Sequence, residues 1–294
     1  MHGLVGTALG GVATLVGEPQ NLLIGHAVGW NFMAFATAMA HISLPVFAAG
    51  LVTCVAVERL GWFGFGATLP EDVRAVLMEH SRAVDAQRSR EERARLVVQG
   101  VAACCLVVAL ALHIAEVGLI GLAILVLQTA FNGVVDEHRL GQAFAEALPF
   151  TALLVVFFVI VAVIHDQSLF APVVDRALAL EGRSRLGAIY VASGALSAIS
   201  DNVFVATVYI GEVQRDFTAG AISREQFEGL AIAVNAGTNI PSIATPNGQA
   251  AFLFLLTSAL APLLRISYRG MVWMALPYTV VISVVGFLAT TFLT

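Results

Sequence analysis

Ser200, Asp201 and Asn202 interrupt an otherwise apolar run over residues 186–212. A carboxylate deep in hydrocarbon costs ~2.5–3.5 kcal/mol on insertion scales, so it is usually kept for function. Asp201 holds one proton or one small cation, but not both, and that competition suffices in principle for exchange. The alternative is that Asp201 caps the helix that follows, a role aspartate fills well. Neither half of the run is long enough to cross ~30 Å of hydrocarbon. The run therefore reads as a re-entrant helical hairpin with the polar triplet at its tip.

A second polar interruption lies at 235–249, between apolar runs 227–234 and 250–262. Pro241 and Pro246 each remove a backbone donor and clash with the preceding turn, so a broken helix is expected there. Broken backbone survives in lipid only where protein or a watery cavity satisfies it. Thr238, Asn239, Thr245 and Asn247, with Ser200 and Asn202, supply neutral oxygens. Such donors suit a hard cation such as Na⁺. Each of these residues also caps backbone locally at helix breaks. With Asp201 they form the expected second-repeat Na⁺ site.

A stretch near the start repeats the pattern. With an offset of 231 residues, 6–17 falls on 237–248, and five of twelve positions are identical. Thr7, Thr14, Glu18 and Asn21 form the matching, weaker first-repeat site. Glu18 aligns with Gln249, so one copy carries a charge where the other carries an amide. Glu18 is either a charged ligand or a surface residue beside the Pro19 turn. The rival account of the repeat is independent use of small residues for close helix packing.

The elements that position these residues follow from composition. The 294 residues are 59% hydrophobic and 12% charged, with mean hydropathy +0.87. That composition belongs to an all-α polytopic membrane protein. A broken helix is expected over 3–29, interrupted at 17–21, and a span over 32–57. A polar linker with a surface helix covers 58–95. Spans follow at 96–114, 117–131 and 149–164, with an interfacial helix at 169–181. The hairpin 186–212, the broken helix 229–264 and a last span 271–294 complete the chain. Residues 1–57 thus read as the end of a first repeat and 96–294 as a second.

All 15 basic residues are Arg. Placing 58–95, 132–148 and 265–270 in the cytoplasm puts ten of them inside, as the positive-inside rule favours. The two broken helices then run antiparallel, as an inverted-repeat transporter requires. Cys54, Cys104 and Cys105 read as small buried hydrophobes without disulfide or zinc. His113 with Glu116, and His165 with Asp166, are proton relays or interfacial pairs. Asp136, Glu137 and His138 read as a solvated loop. No His-Glu-x-x-His, Walker lysine or Gly-x-Ser-x-Gly motif occurs, which leaves hydrolase and ATP-driven readings without support and predicts a non-enzyme. No basic region precedes the first apolar run, so no cleavable signal is expected.

Gly6–Asn21, Ala115–Gly121, Leu196–Val205, Asn235–Ala250 and Met271–Tyr278 resemble the NhaB family of bacterial sodium/proton antiporters. The family sits in a wider group that includes sodium-coupled dicarboxylate carriers. The resemblance implies two inverted repeats, each pairing a re-entrant hairpin with an unwound helix. It implies a multi-pass protein of the bacterial inner membrane that exports Na⁺ in exchange for H⁺. No cofactor is implied, and Na⁺ (or Li⁺) is the transported ion. Expected partners are Na⁺, H⁺ and lipid, with a homodimer open and no nucleic acid. Family chains carry a hairpin before the first broken helix, so this chain is expected to lack the N-terminal part of the first repeat. Two alternatives stand beside antiport: sodium-coupled uptake of an organic anion, and an inactive fragment.

Overall fold

The computed structural model describes residues 1–68, 71–134, 136–167, 172, 176–177, 179–257, 260–263 and 266–294. Every regular element among the described residues is helical. The chain divides into two compact units, one of 1–66 with 155–294 and the other of 67–154.

In the first unit, α1 (His2–Val12) and α2 (Pro19–Val28) flank a non-helical stretch at 13–18. The break was expected at 17–21, around Pro19. Pro19 instead starts α2, because the first helical position needs no N–H and suits its fixed φ. Gly29, at φ 80°, ends α2 in the left-handed conformation. Helix α3 (Phe32–Leu60) is N-capped by the Asn31 side chain, which accepts from Ala34 N at 2.8 Å. Its 29 residues rise about 40 Å, enough to cross a bilayer even with Pro45 inside it.

In the second unit, α4 (Glu71–Gln87) is exposed along its whole length, with Glu71 and Asp72 in its first turn. Acids there complement the positive end of the helix. Helix α5 (Arg90–Ala111) opens with a reciprocal cap between Ser89 and Glu92 and packs against α6 (Val117–Phe131). Helix α7 (Glu137–Asp166) is continuous and falls in both units. The sequence reading had split it into a polar segment and a span.

Back in the first unit, α8 (Gly182–Ser197) and α9 (Asn202–Thr218) are joined by only four residues. Helix α10 (Arg224–Asn239) packs against both. A 3₁₀ turn (Pro241–Ala244) and an irregular stretch then lead to α11 (Ala250–Thr257) and the short α12 (Leu260–Leu263). The last helix, α13 (Tyr268–Phe292), packs against α3 and α8. The interfacial helix expected at 169–181 lies largely outside the described residues.

Among the described residues three helices, Phe32–Leu60, Arg90–Ala111 and Tyr268–Phe292, are long and apolar enough to cross a membrane. Their outward faces are apolar: Leu44, Val52, Val97 and Trp273 are all exposed. Contiguous exposed apolar surface on this scale suits lipid, not water. The same reasoning corrects the cysteines. Cys104 and Cys105 are exposed on α5 and Cys54 is half-buried, because their apolar surroundings are not a protein core.

The core of the first unit lies where α2, α8, α9 and α10 meet. It is built from Ile24, Ile189, Val205, Tyr209, Phe227 and Leu230, with their neighbours. Small residues let backbones approach there. A Cβ at Gly194 would sit 2.8 Å from Pro241 Cγ and 3.2 Å from Gly237 O. Tyr190 anchors α8 to α13 by donating to Ser283 O at 3.0 Å.

Candidate functional site

Helix α10 stops at Pro241, which cannot donate to the helical ladder. The freed groups are met locally. Ser242 Oγ donates to Asn239 O at 2.6 Å, and Gly248 N donates to Thr245 O at 3.2 Å. Thr245 itself is extended, at φ −139° and ψ 157°.

The turn between α8 and α9 rests directly on this break. Ser197 Oγ donates to Thr238 O at 2.6 Å, and Thr245 Oγ1 donates to Ala198 O at 2.7 Å. Gly248 has no room for a side chain, since a Cβ would run into the carbonyl oxygens of Ser197 and Ser242. Asp201 stands half-buried in the turn and caps α9, accepting from Phe204 N at 3.0 Å. The capping role weighed for Asp201 is therefore real. Ser200 is half-buried, and Asn202 is buried with no partner for its Nδ2.

The first break joins the same cluster. The Asn21 carboxamide donates to Gly11 O and Thr14 O, each at 2.8 Å, and so satisfies carbonyls freed where α1 ends. Its Oδ1 accepts from Asn239 Nδ2 at 3.1 Å. Asn239 Oδ1 accepts from Gln20 Nε2 at 2.7 Å, and Asn239 Nδ2 also reaches Asn235 O at 2.8 Å. Glu18 accepts from Gln249 Nε2 at 3.2 Å. Gln20, Asn21, Asn235, Thr238, Asn239, Ser242 and Gln249 are all buried. Two polar atoms in this set, Gln20 Oε1 and Asn235 Nδ2, have no partner. Buried amides without partners are rare, and each calls for an explanation.

The expected site residues therefore divide. Asp201, Ser200, Asn202, Thr238, Asn239, Thr245, Asn21 and Glu18 lie at or beside the two breaks. The Thr14 carbonyl belongs to the cluster through Asn21. Thr7 is exposed, its hydroxyl bonded to Gly3 O at 2.9 Å, and Asn247 is exposed too. Ser197, Gln20, Asn235 and Gln249 were not expected as site residues. The offset of 231 pointed to Gln249; Gln20 and Asn235 carried no signal beyond lying in the two motifs.

Elsewhere, His113 and Glu116 are exposed at the turn between α5 and α6. Asp136 Oδ1 accepts from His138 N at 3.3 Å, and Asp166 accepts from Gln167 Nε2 at 2.9 Å, both exposed. The side chain of His165 lies outside the described residues. Among the described residues no His, Cys, Asp and Glu group forms a transition-metal site.

The fold defines an all-helical membrane protein in which two non-helical stretches meet at a buried polar junction. The model of the family described as bacterial Na⁺/H⁺ antiporter B (NhaB) matches residues 1–294, and the chain belongs to the NhaB family. A Pseudomonas fluorescens Pf-5 protein named Na⁺/H⁺ antiporter NhaB is 64% identical over 292 residues, 99% of this chain and 58% of that protein. Proteins of the same name from Saccharophagus degradans and Pseudomonas aeruginosa LESB58 are 64% and 61% identical, over 97% and 98% of this chain and 57% and 58% of theirs. The chain thus spans well under two thirds of the length of these relatives. No solved structure matches it.

Proposed function

We propose that this chain carries the ion site of a secondary Na⁺/H⁺ antiporter, exporting Na⁺ while H⁺ enters. Na⁺ would sit between the 198–202 turn and the 240–249 break, held by Asp201 and by oxygens from Ser200, Asn202, Thr238, Asn239 and Thr245. A half-turn of the Asn202 carboxamide exchanges its buried Nδ2 for its oxygen. The observation that carries this reading is the pair of bonds Ser197–Thr238 O and Thr245–Ala198 O, which hold the Asp201 turn against unwound backbone. The names of the relatives support the choice of ions.

In this reading 186–212 is a re-entrant hairpin, and the stretches around 13–18 and 240–249 are the breaks of an inverted repeat. Residues 1–57 end the first repeat, 58–95 form a cytoplasmic linker, and 96–294 hold the second, in a multi-pass protein of the inner membrane. Hairpin and broken helix move together, as in transporters built this way. The proton gradient drives export, at ~2.3 kcal/mol per charge per 100 mV plus any pH difference. Carboxylates at the site disfavour an organic anion, which separates this reading from sodium-coupled anion uptake.

The test is Na⁺-dependent dissipation of a pH gradient in everted vesicles. Asp201→Asn should abolish the signal while leaving the protein folded and inserted. Full exchange in that variant would remove Asp201 from the mechanism.

A further inference from the structure

We propose that α4 is a membrane-surface helix whose apolar face lies on the bilayer that α5 enters, held there by that face and not by attraction to anionic headgroups. The inference is independent of the ion-site reading and gives the polar segment a partner, lipid.

Successive residues of an α-helix turn by about 100°, so positions 73, 77, 80 and 84 share one face. Val73, Leu77 and Val84 stand on it with His80, flanked by Val76 and Ala83. Glu71, Glu79 and Arg82 stand on the opposite face. The apolar stripe runs for about 17 Å along the helix. Val73, Val76, Leu77 and Val84 are 41%, 66%, 53% and 48% exposed, and no residue of α4 is buried. A helix with one apolar face and one charged face, and little net hydrophobicity, is the kind that lies in a membrane interface.

The elbow between α4 and α5 decides which way the stripe looks. Only Arg88 and Ser89 join the two helices, and Ser89, at φ −65° and ψ 163°, is extended and caps α5. Val84, Gln87 and Arg88 at the end of α4 line one crevice with Glu92, Arg95 and Leu96 of α5. Val84, the last residue of the stripe, is therefore on the inner side of the elbow, the side on which α5 runs. Leu96 opens the apolar outer surface of α5, which continues through exposed Val97, Val101 and Val108. The stripe of α4 thus runs on into a surface that already suits lipid, and a bilayer that receives α5 meets α4 on its apolar face. Charge does not bring it there. Helix α4 carries Glu71, Asp72, Glu79 and Asp85 against Arg74 and Arg82, and Arg88 beyond its end pairs with Asp85 at 3.2 Å. A net-acidic helix is not drawn to anionic lipid, so apolar burial has to hold it.

The measurement is fluorescence quenching of a thiol-attached label on the full chain in nanodiscs, with Cys54, Cys104 and Cys105 replaced by alanine. Labels at Leu77→Cys and Val84→Cys should lose emission to lipid with brominated acyl chains and be shielded from aqueous iodide. Labels at Glu79→Cys and Arg82→Cys should lose emission to iodide and be spared by bromine. Two positions on each face keep a single perturbing label from deciding the outcome. The contrast should be the same in purely zwitterionic lipid and in lipid with anionic headgroups. Iodide quenching as strong at Leu77 and Val84 as at Glu79 and Arg82 would put the stripe in water and overturn the proposal. Shielding of the stripe from both quenchers would mean that protein, a second copy of the chain included, covers it, and overturns the proposal as well. Bromine quenching that appears only with anionic lipid would overturn its apolar basis.

Discussion

Asn239 is the residue on which the polar junction turns. Its carboxamide serves Gln20, Asn21 and Asn235 together. Asn239→Ala should strand several buried groups, at about 1–3 kcal/mol for each one left unpaired. Thermal unfolding in detergent should show a clear loss of stability; a variant as stable as the wild type would mean that water replaces the amide without cost. Gly248 gives a steric counterpart. Gly248→Ala forces a methyl into the carbonyls of Ser197 and Ser242 and should cost about 1–3 kcal/mol, with Na⁺ affinity falling in parallel. Asp201 was legible in the sequence because a charge in an apolar run is conspicuous. Gln20 and Asn235 were not, because an amide in a helix looks the same whether it faces lipid headgroups or another amide. Only tertiary packing decides that.

At the scale of the element, the breaks are the feature that matters. The turn between α8 and α9 and the non-helical stretch after α10 were legible to within a few residues, since Pro241, Pro246 and the 200–202 triplet are strong punctuation. The first break lies four residues earlier than the sequence suggests, because Pro19 starts the next helix and does not interrupt one. The turn between α8 and α9 and the second break should stay in contact in the membrane. In a cysteine-free background, Ala198→Cys with Thr245→Cys should cross-link in high yield with a short bifunctional thiol reagent. Absence of cross-linking under all ionic conditions would separate the two elements. The start of α10 is held differently. Arg224 donates to Val28 O at 2.6 Å and lies over the stacked rings of Phe217 and Phe227. Arg224→Lys loses the planar fork and should weaken the link between α2 and α10 more than a charge count suggests. Slower hydrogen exchange at the end of α2 in that variant, or none of the expected acceleration, would contradict this.

For the whole molecule, the governing quantity is charge in a place that resists it. Membrane class was legible from hydropathy alone, and family from a few motifs. Which apolar faces meet lipid and which meet protein was not, as Cys104 and Cys105 show, because both environments select the same residues. In the proposed antiport, protonation of the site carboxylates would remove the attraction for Na⁺. Na⁺ affinity should therefore rise with pH and fall as the medium becomes acid, whichever side of the membrane is sampled. An affinity flat from acid to alkaline pH would leave competition without a basis.

The most direct test of the central claim is where a monovalent cation binds. A structure of the chain soaked in Tl⁺, located by its anomalous signal, should place the ion between the Asp201 carboxylate and the unwound backbone at 240–249, and Na⁺ should displace it. An ion bound elsewhere, with that junction closed to it at alkaline pH, would contradict the account.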